Sequence, residues 1–199
     1  MNITRRLALA LAGVTPFARA FAADAQGYRD FVDGDAKAKL TVIEYGSLTC
    51  PHCAEFHANG YPLLKKEYID TGKVRFIFRD LPSDNLALGA ALLARCAPGD
   101  RGKEMISLMF ATQRTWVLAE NPLEHLTGHA KTVGLEGPNL EACLKNEAIL
   151  NRIVEIRETA LRDLKVQSTP TFFIGEDMKE MVEGADYPPL KAAIDKHFS

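Results

Sequence analysis

Cysteine is scarce in this chain, with four in 199 residues. That excludes a disulfide-dense scaffold, in which staples stand in for a small core. Tryptophan occurs once, and neither sign of charge is in surplus: 24 Lys and Arg face 26 Asp and Glu, a formal net charge of -2. No block of like charge appears, so nothing points to a nucleic-acid partner or a charged tail. Past the N-terminal segment no apolar run is long and uncharged enough to span a bilayer. Internal repeats and low-complexity stretches are also missing. What remains is an ordinary globular composition, 47% hydrophobic and 25% charged. It suits one domain, with or without an insertion, that buries a core of its own.

The first two dozen residues read as an export signal. Arg5 and Arg6 form a positive start, Leu7 to Val14 (LALALAGV) a short apolar run, and Pro16 breaks it. Ala18-Arg19-Ala20 and Ala20-Phe21-Ala22 both fit a small-x-small cleavage site. The expected signal is 1–22, with cleavage near Ala20 to Ala23. Thr4-Arg5-Arg6 resembles a twin-arginine signal only in its arginine pair. The first cysteine is Cys50, so no cysteine stands where a lipoprotein would be acylated. An exported protein in an oxidising compartment, the periplasm, follows, and there cysteine pairs persist as disulfides.

Downstream, Tyr28 to Lys39 reads as a polar lead-in with a turn at Gly34. Leu40 to Tyr45 (LTVIEY) has the β-branched, apolar pattern of a buried strand. Ala54 to Tyr68 reads as a helix kinked near Pro62, and Lys73 to Arg79 (KVRFIFR) as a second strand. Strand, helix, strand implies parallel pairing. A helical region of roughly 80 residues follows, too long for a plain loop. Its clearest helix is Glu147 to Leu164, with Leu150, Ile153, Val154, Leu161 and Leu164 as the apolar row and Glu158–Arg162 as an i,i+4 pair. Strand signals return at Thr171 to Ile174 (TFFI) and Met181 to Glu183, and Pro188 to Phe198 closes the chain as a helix. The expected class is α/β, with parts 23–83 and 166–199 forming one domain and 84–165 a helical insertion.

The chemistry concentrates in "LTCPHCAEFH", Leu48 to His57. C-x-x-C in a strand-helix-strand frame is a redox pattern. Cys50 follows a strand and opens a helix, where free N–H groups and the helix dipole favour a thiolate. Cys53, one turn further in, closes a ring with it. Cys50 is therefore the expected nucleophile and Cys53 the resolving partner. Pro51 suits the first helical position, where no N–H is needed, and His52 offers charge or a donor beside the sulfur. Stabilising the thiolate makes the disulfide a stronger oxidant.

Zinc is the chemical competitor, but a structural site needs four ligands. Cys96 and Cys143 are far apart in sequence, His57 adds one ligand, and a fourth is missing. His125 and His129 share a helix face, yet "HLTGH" lacks the acid of a zinc-protease motif; both are expected at the surface. No metal and no cofactor are expected. A second element is "QSTPTFFIG", Gln167 to Gly175. Thr169-Pro170 before an aromatic strand invites a cis peptide in a tight turn, and such a turn exposes backbone with which an extended substrate can pair. A trans proline opening a strand is the alternative, and CPHC upstream in a strand-helix frame favours the turn.

Together, "VIEYGSLTCPHCAEFH" and "VQSTPTFFIG", separated by a helical insertion, resemble the DsbA family of bacterial disulfide oxidoreductases. The resemblance covers roughly residues 30–198. CPHC is the pattern of the oxidising branch; thioredoxins usually carry CGPC and bacterial isomerases CGYC. The resemblance implies a thioredoxin-like fold with an inserted helical domain, and transfer of the Cys50–Cys53 disulfide to reduced secreted or periplasmic proteins. It further implies reoxidation by a DsbB-like membrane quinone reductase, with the protein acting as a monomer. In DsbA the nucleophile's pKa is about 3.5 and the potential about -120 mV.

The resemblance also places a buried, proton-moving acid at Glu44, six residues before Cys50; a solvent-facing edge carboxylate is the alternative. Thr169 departs from the valine often found there in enterobacterial DsbA, a difference that bears on oxidising strength. Some relatives carry a second disulfide, which Cys96 and Cys143 would form here, contributing about 4 kcal/mol in the chain-entropy model. Two buried free thiols are the alternative. Trp116 is read as core of the helical part, or else as a neighbour of the substrate groove. The competing functions are an isomerase or reductase of the same fold and, from another class, a chaperone-like or metal-binding module.

Overall fold

The computed structural model describes residues 27–199. The export signal and its cleavage positions lie outside the described residues.

β2 (Leu40–Gly46) is buried along its whole length, so it needs a strand on each side and cover on both faces. β3 (Val74–Asp80) lies parallel to it, from Leu40 opposite Val74 to Gly46 opposite Asp80. The crossover between them is a helix of mixed pitch. α1 (Pro51–Glu55) passes through a π-helical stretch, Phe56–Gly60, into α2 (Tyr61–Leu64) and a second π-helical stretch, Lys65–Ile69. Pro62 removes a backbone donor in this helix, and the backbone on either side of α2 has the wider pitch.

β4 (Thr171–Ile174) runs antiparallel against the other edge of β2, and β5 (Glu180–Glu183) antiparallel against β4. The sheet order is β1-β3-β2-β4-β5. β1 (Phe31–Asp33) corrects the expected polar lead-in: it pairs antiparallel with β3, Phe31 opposite Phe78. Its three residues sit among Asp30, Gly34 and Asp35, which mask the strand pattern.

Six helices separate β3 from β4: α3 (Asn85–Cys96), α4 (Arg101–Ala111), α5 (Gln113–Val117), α6 (Pro122–Thr132), α7 (Gly137–Leu144) and α8 (Glu147–Arg162). α9 (Tyr187–Asp195) follows β5. The N-termini of α3, α6 and α8 are capped by Asp84, Asn121 and Asn146, whose side-chain oxygens accept from the amides of Ala87, Glu124 and Ile149; these satisfy donors the helices cannot pair internally. In α8 the buried row is Ile149, Ile153, Ile156 and Ala160. The expected row shared only Ile153 with it, and Leu161 faces solvent at 41% exposure. Two apolar rows overlap in this sequence, and packing selects the one spaced 4-3-4. The expected Glu158–Arg162 pair gives way to Arg162 with Asp163 (2.8 Å) and Arg152 with Glu155 (2.8 Å).

One continuous core joins the sheet to the helical part. Two further ties reinforce it, one within the helical part and one between that part and the sheet. Cys96 and Cys143 form a disulfide between α3 and α7, Cα atoms 5.8 Å apart. Next to it, Arg95 is buried: its Nε donates to Asp80 Oδ2 (2.6 Å), its other nitrogens donate to the carbonyls of Arg29 and Phe78, and its guanidinium lies over the Phe31 ring at 3.7 Å. The pair joins α3, the end of β3 and the N-terminal strand.

Removing one partner of a buried ion pair leaves the other charge uncompensated, at a cost of about 3–5 kcal/mol. Asp80→Ala is therefore expected to lose about that much stability in urea unfolding. A change below about 1 kcal/mol would show that the pair does not hold these elements together.

Candidate active site

The end of β2 and the start of α1 bring the two sulfurs together. Cys50 is the N-cap residue of α1, in extended conformation (φ -75, ψ 120), and Pro51 is the first helical residue. Cys50 is half-buried and Cys53 has no exposed surface. As a thiol, Cys50 donates to the carbonyl oxygen of Thr169 at 3.3 Å. The peptide bond between Thr169 and Pro170 is cis, which places that carbonyl at the entrance to β4, beside the helix start. Ser47 N–H points at Cys53 Sγ from 3.5 Å.

The two thiols are displaced in opposite directions. Cys50 is lowered to about 5. A hydrogen bond from the Cys53 thiol is the largest cause, opposed by partial burial. The Thr169 side chain and the backbone N–H groups of Cys53 and His52 add to the lowering. Cys53 is raised well above the ordinary thiol range by burial, by its hydrogen bond to Cys50 and by the Glu44 charge. One sulfur is thus an accessible thiolate and the other a buried thiol.

His52 takes part through its backbone. Its imidazole is exposed and lies 3.6 Å from Glu55, so the donor aimed at Cys50 is the amide. Glu44 sits in the sheet interior with no exposed surface, which excludes the edge-strand alternative. Its Oε2 lies 2.9 Å from His57 Nε2, while Oε1 is buried without a hydrogen-bond partner. Gly46 makes room for it: a Cβ there would stand 2.9 Å from Glu44 Oε1 and 2.7 Å from the Phe78 ring.

Two contributors escaped the sequence reading. His57 is the partner of Glu44; its four-residue offset from Cys53, within a helix facing the sheet, was the available signal. The other is Gln113, at the start of α5. It is buried, and its Nε2 donates to the carbonyls of Leu48 (2.8 Å) and Cys50 (2.9 Å). Nothing local in "ATQRTW" marks it. It pins the cysteine loop to the helical part.

The remaining candidates lie elsewhere. Trp116 is fully buried and its indole N–H donates to the Met109 carbonyl at 2.8 Å, so it is core and no groove residue. His125 and His129 are half-buried rather than at the surface. His129 Nε2 stands 3.0 Å from Thr112 Oγ1, and burial, then the neighbouring His125, lowers its pKa. Among the described residues no three His, Cys, Asp or Glu side chains converge as metal ligands.

Comparison with known proteins gives a consistent picture. A family model described as Thioredoxin matches residues 28–196. The chain is 31% identical over 169 residues to the "Putative protein-disulfide oxidoreductase" of Rickettsia bellii, covering 84% of this chain and 64% of that protein. It is 26% identical over 171 residues to "Disulfide bond formation protein D" of Bacillus subtilis, covering 82% and 74%. Among solved structures it resembles Wolbachia pipientis alpha-DsbA1 with a TM-score of 0.73 and 32% identity, covering 84% of this chain and 89% of that one. The chain spans 64% and 54% of the lengths of the Rickettsia bellii and Rickettsia typhi relatives it matches.

Two measurements test this geometry. Thiolate absorbance of the reduced protein should titrate with a midpoint near pH 5. Between pH 5 and about 9 the unfolded chain then binds more protons at Cys50 than the folded one. The stability of the reduced form, relative to the oxidised, should therefore rise with pH across that window and be lost as pH falls through 5. A midpoint near the ordinary value of about 8.5 would contradict the arrangement. Separately, Gln113→Leu strips a donor from two carbonyls and should cost about 1–3 kcal/mol in denaturant unfolding, with the Cys50 midpoint moved upward. An unmoved midpoint would mean that Gln113 does not position the loop.

Proposed function

We propose, from the premise that the chain belongs to the DsbA family of thioredoxin-fold proteins, that it is a protein thiol:disulfide oxidoreductase that introduces disulfides into other proteins. The observation that carries this is the opposed displacement of the two sulfurs, Cys50 down and Cys53 up, at one helix start beside Thr169. The names of the rickettsial and Bacillus relatives agree with that chemistry.

In the oxidised protein, a substrate thiolate attacks Cys50 Sγ. The Cys50–Cys53 bond breaks, its electron pair goes to Cys53, and a substrate–Cys50 disulfide forms. Cys53, buried, takes up a proton. A second substrate thiolate then attacks the substrate sulfur of the mixed disulfide, and Cys50 leaves as the thiolate. The substrate has lost two electrons and the cysteine pair has gained them. Cys50 is the better leaving group because its thiolate is held by the Cys53 thiol, by Thr169 and by the helix amides. Thr169 and Pro170 supply the backbone against which an extended substrate lies.

In this reading 23–83 with 166–199 form the redox domain, and 84–165 the helical domain that steadies the cysteine loop through Gln113. The protein works as an exported, periplasmic monomer, needs no cofactor, and passes its electrons to a DsbB-like membrane quinone reductase. The Cys96–Cys143 disulfide is structural.

Equilibration against glutathione tests the direction of transfer. The expected potential lies near the DsbA value of about -120 mV, and one near the thioredoxin value of about -270 mV would overturn the oxidising role. In parallel, Cys53→Ala should trap mixed disulfides through Cys50 with reduced secreted proteins; the absence of adducts would overturn exchange itself.

A further inference from the structure

The mechanism above leaves one demand unmet. Cys53 must gain a proton when its bond to Cys50 breaks and lose it when the disulfide re-forms, yet it has no exposed surface. Glu44, whose charge reaches the Cys53 sulfur, is equally sealed, and one of its oxygens has no partner. A buried carboxylate with an unsatisfied oxygen is costly, and it needs a route for its proton.

The structure supplies a route to a cavity whose lining includes neither cysteine nor Thr169. Phe56–Gly60 is π-helical, and π-helical turns recur at functional sites. In that stretch Gly60 lets the Phe56 ring fold close, since a Cβ there would stand 2.6 Å from it. His57, the next residue, is directed at Glu44. Its ring is clamped between aromatic faces, with Phe110 at 4.2 Å and Tyr61 at 5.2 Å between centroids, both stacked. It is 11% exposed. That exposed part lines a surface cavity of about 430 Å³, which Asp33, Tyr61, Lys103 and Glu104 also line.

We propose that His57 is a proton-relay residue that connects the buried Glu44 carboxyl to solvent through this cavity, a role that rests on the oxidoreductase reading above. During substrate oxidation the Glu44 carboxyl gives its proton to the departing Cys53 sulfur. His57 Nε2–H then reprotonates Glu44, and the imidazole recovers a proton from solvent in the cavity. During reoxidation Cys50 is first joined in a mixed disulfide to the quinone reductase of the reading above. Glu44 gives its proton through His57 to solvent and takes the Cys53 proton as Cys53 attacks Cys50 Sγ, and the bond from Cys50 to the reductase breaks with its electron pair on the reductase sulfur. His57 touches neither sulfur in this scheme and acts through Glu44. The titratable and charged groups around it come from each packed element: Glu44 on β2, Cys53 on α1, Tyr61 on α2, Asp33 on β1, and Lys103 and Glu104 on α4. Tyr61 donates to Asp33, and Lys103 Nζ donates to Asp33 Oδ1 at 3.3 Å.

The test is the oxidation of a dithiol peptide by the full-length oxidised protein, followed by stopped flow from pH 5 to 8. His57→Gln keeps a side chain able to hydrogen-bond to Glu44 but cannot carry a proton. It should slow the reaction about 100-fold, the low end of what a positioned proton-transfer group contributes, and change the pH profile. His57→Ala opens the ring's place to the cavity, and added imidazole should restore its rate. Imidazole should not rescue Glu44→Gln. Wild-type rate and pH profile in His57→Gln would overturn the proposal. So would a slow His57→Ala that imidazole leaves slow while His57→Gln keeps the wild-type profile, the result of a purely structural role. If the wild-type protein does not oxidise the peptide, the oxidoreductase reading fails instead, which keeps the two failures distinct.

Discussion

The site depends on one constraint: a sulfur anion is held half-buried at the first turn of a helix, with a second thiol as its main donor. Cys50 needs the donors of α1, the Cys53 thiol and Thr169 at the same time. These come from segments far apart in the chain. β2 aims Cys50 at the helix start, the crossover helix places Cys53 beneath it, and β4 brings Thr169 back more than a hundred residues later. Pairing β4 against β2 therefore builds the site as well as the sheet. The register that sets Tyr45 opposite Thr171 also sets Thr169 against the cysteine loop.

The helical part is joined to this constraint and does more than cover the sheet. Gln113 reaches from α5 to the carbonyls on both sides of Thr49, so a side chain of the helical part fixes the loop that carries Cys50. Arg95 and the Cys96–Cys143 disulfide secure α3 against β3 and α7. A loosening of the helices would thus be felt at the sulfur, through hydrogen bonds whose geometry is fixed by packing rather than by local propensity.

Much of this was legible in the residues because the informative signals are local. C-x-x-C after LTVIEY, and Thr-Pro before TFFI, each state their own backbone requirement, and the βαβ order follows from period and composition. The failures share a different cause. β1 is three residues long and takes its stability from the edge of β3. The row that α8 buries was chosen by its neighbours, since its sequence carries two. Gln113 and His57 are polar residues whose roles arise only from what the tertiary fold sets opposite them. Glu44 lay between these cases: an acid inside an apolar strand announces an unusual role, while its partner is named only by the helix that crosses above.

The two sulfurs also explain why a buried acid is tolerated in the middle of the sheet. In the exchange proposed above, an accessible thiolate and an inaccessible thiol divide the labour: substrate would meet only Cys50, and the bond that must break and re-form involves Cys53. Burying Cys53 keeps it from reacting with the wrong partner, but it also raises the cost of leaving charge there when the bond breaks. On the proposed relay, a proton donor within the core relieves that cost, and the unpartnered Glu44 oxygen is the expense of keeping one available. The cavity that His57 lines includes neither cysteine nor Thr169, so on the proposed relay a substrate covering Cys50 would not block the proton its own oxidation requires.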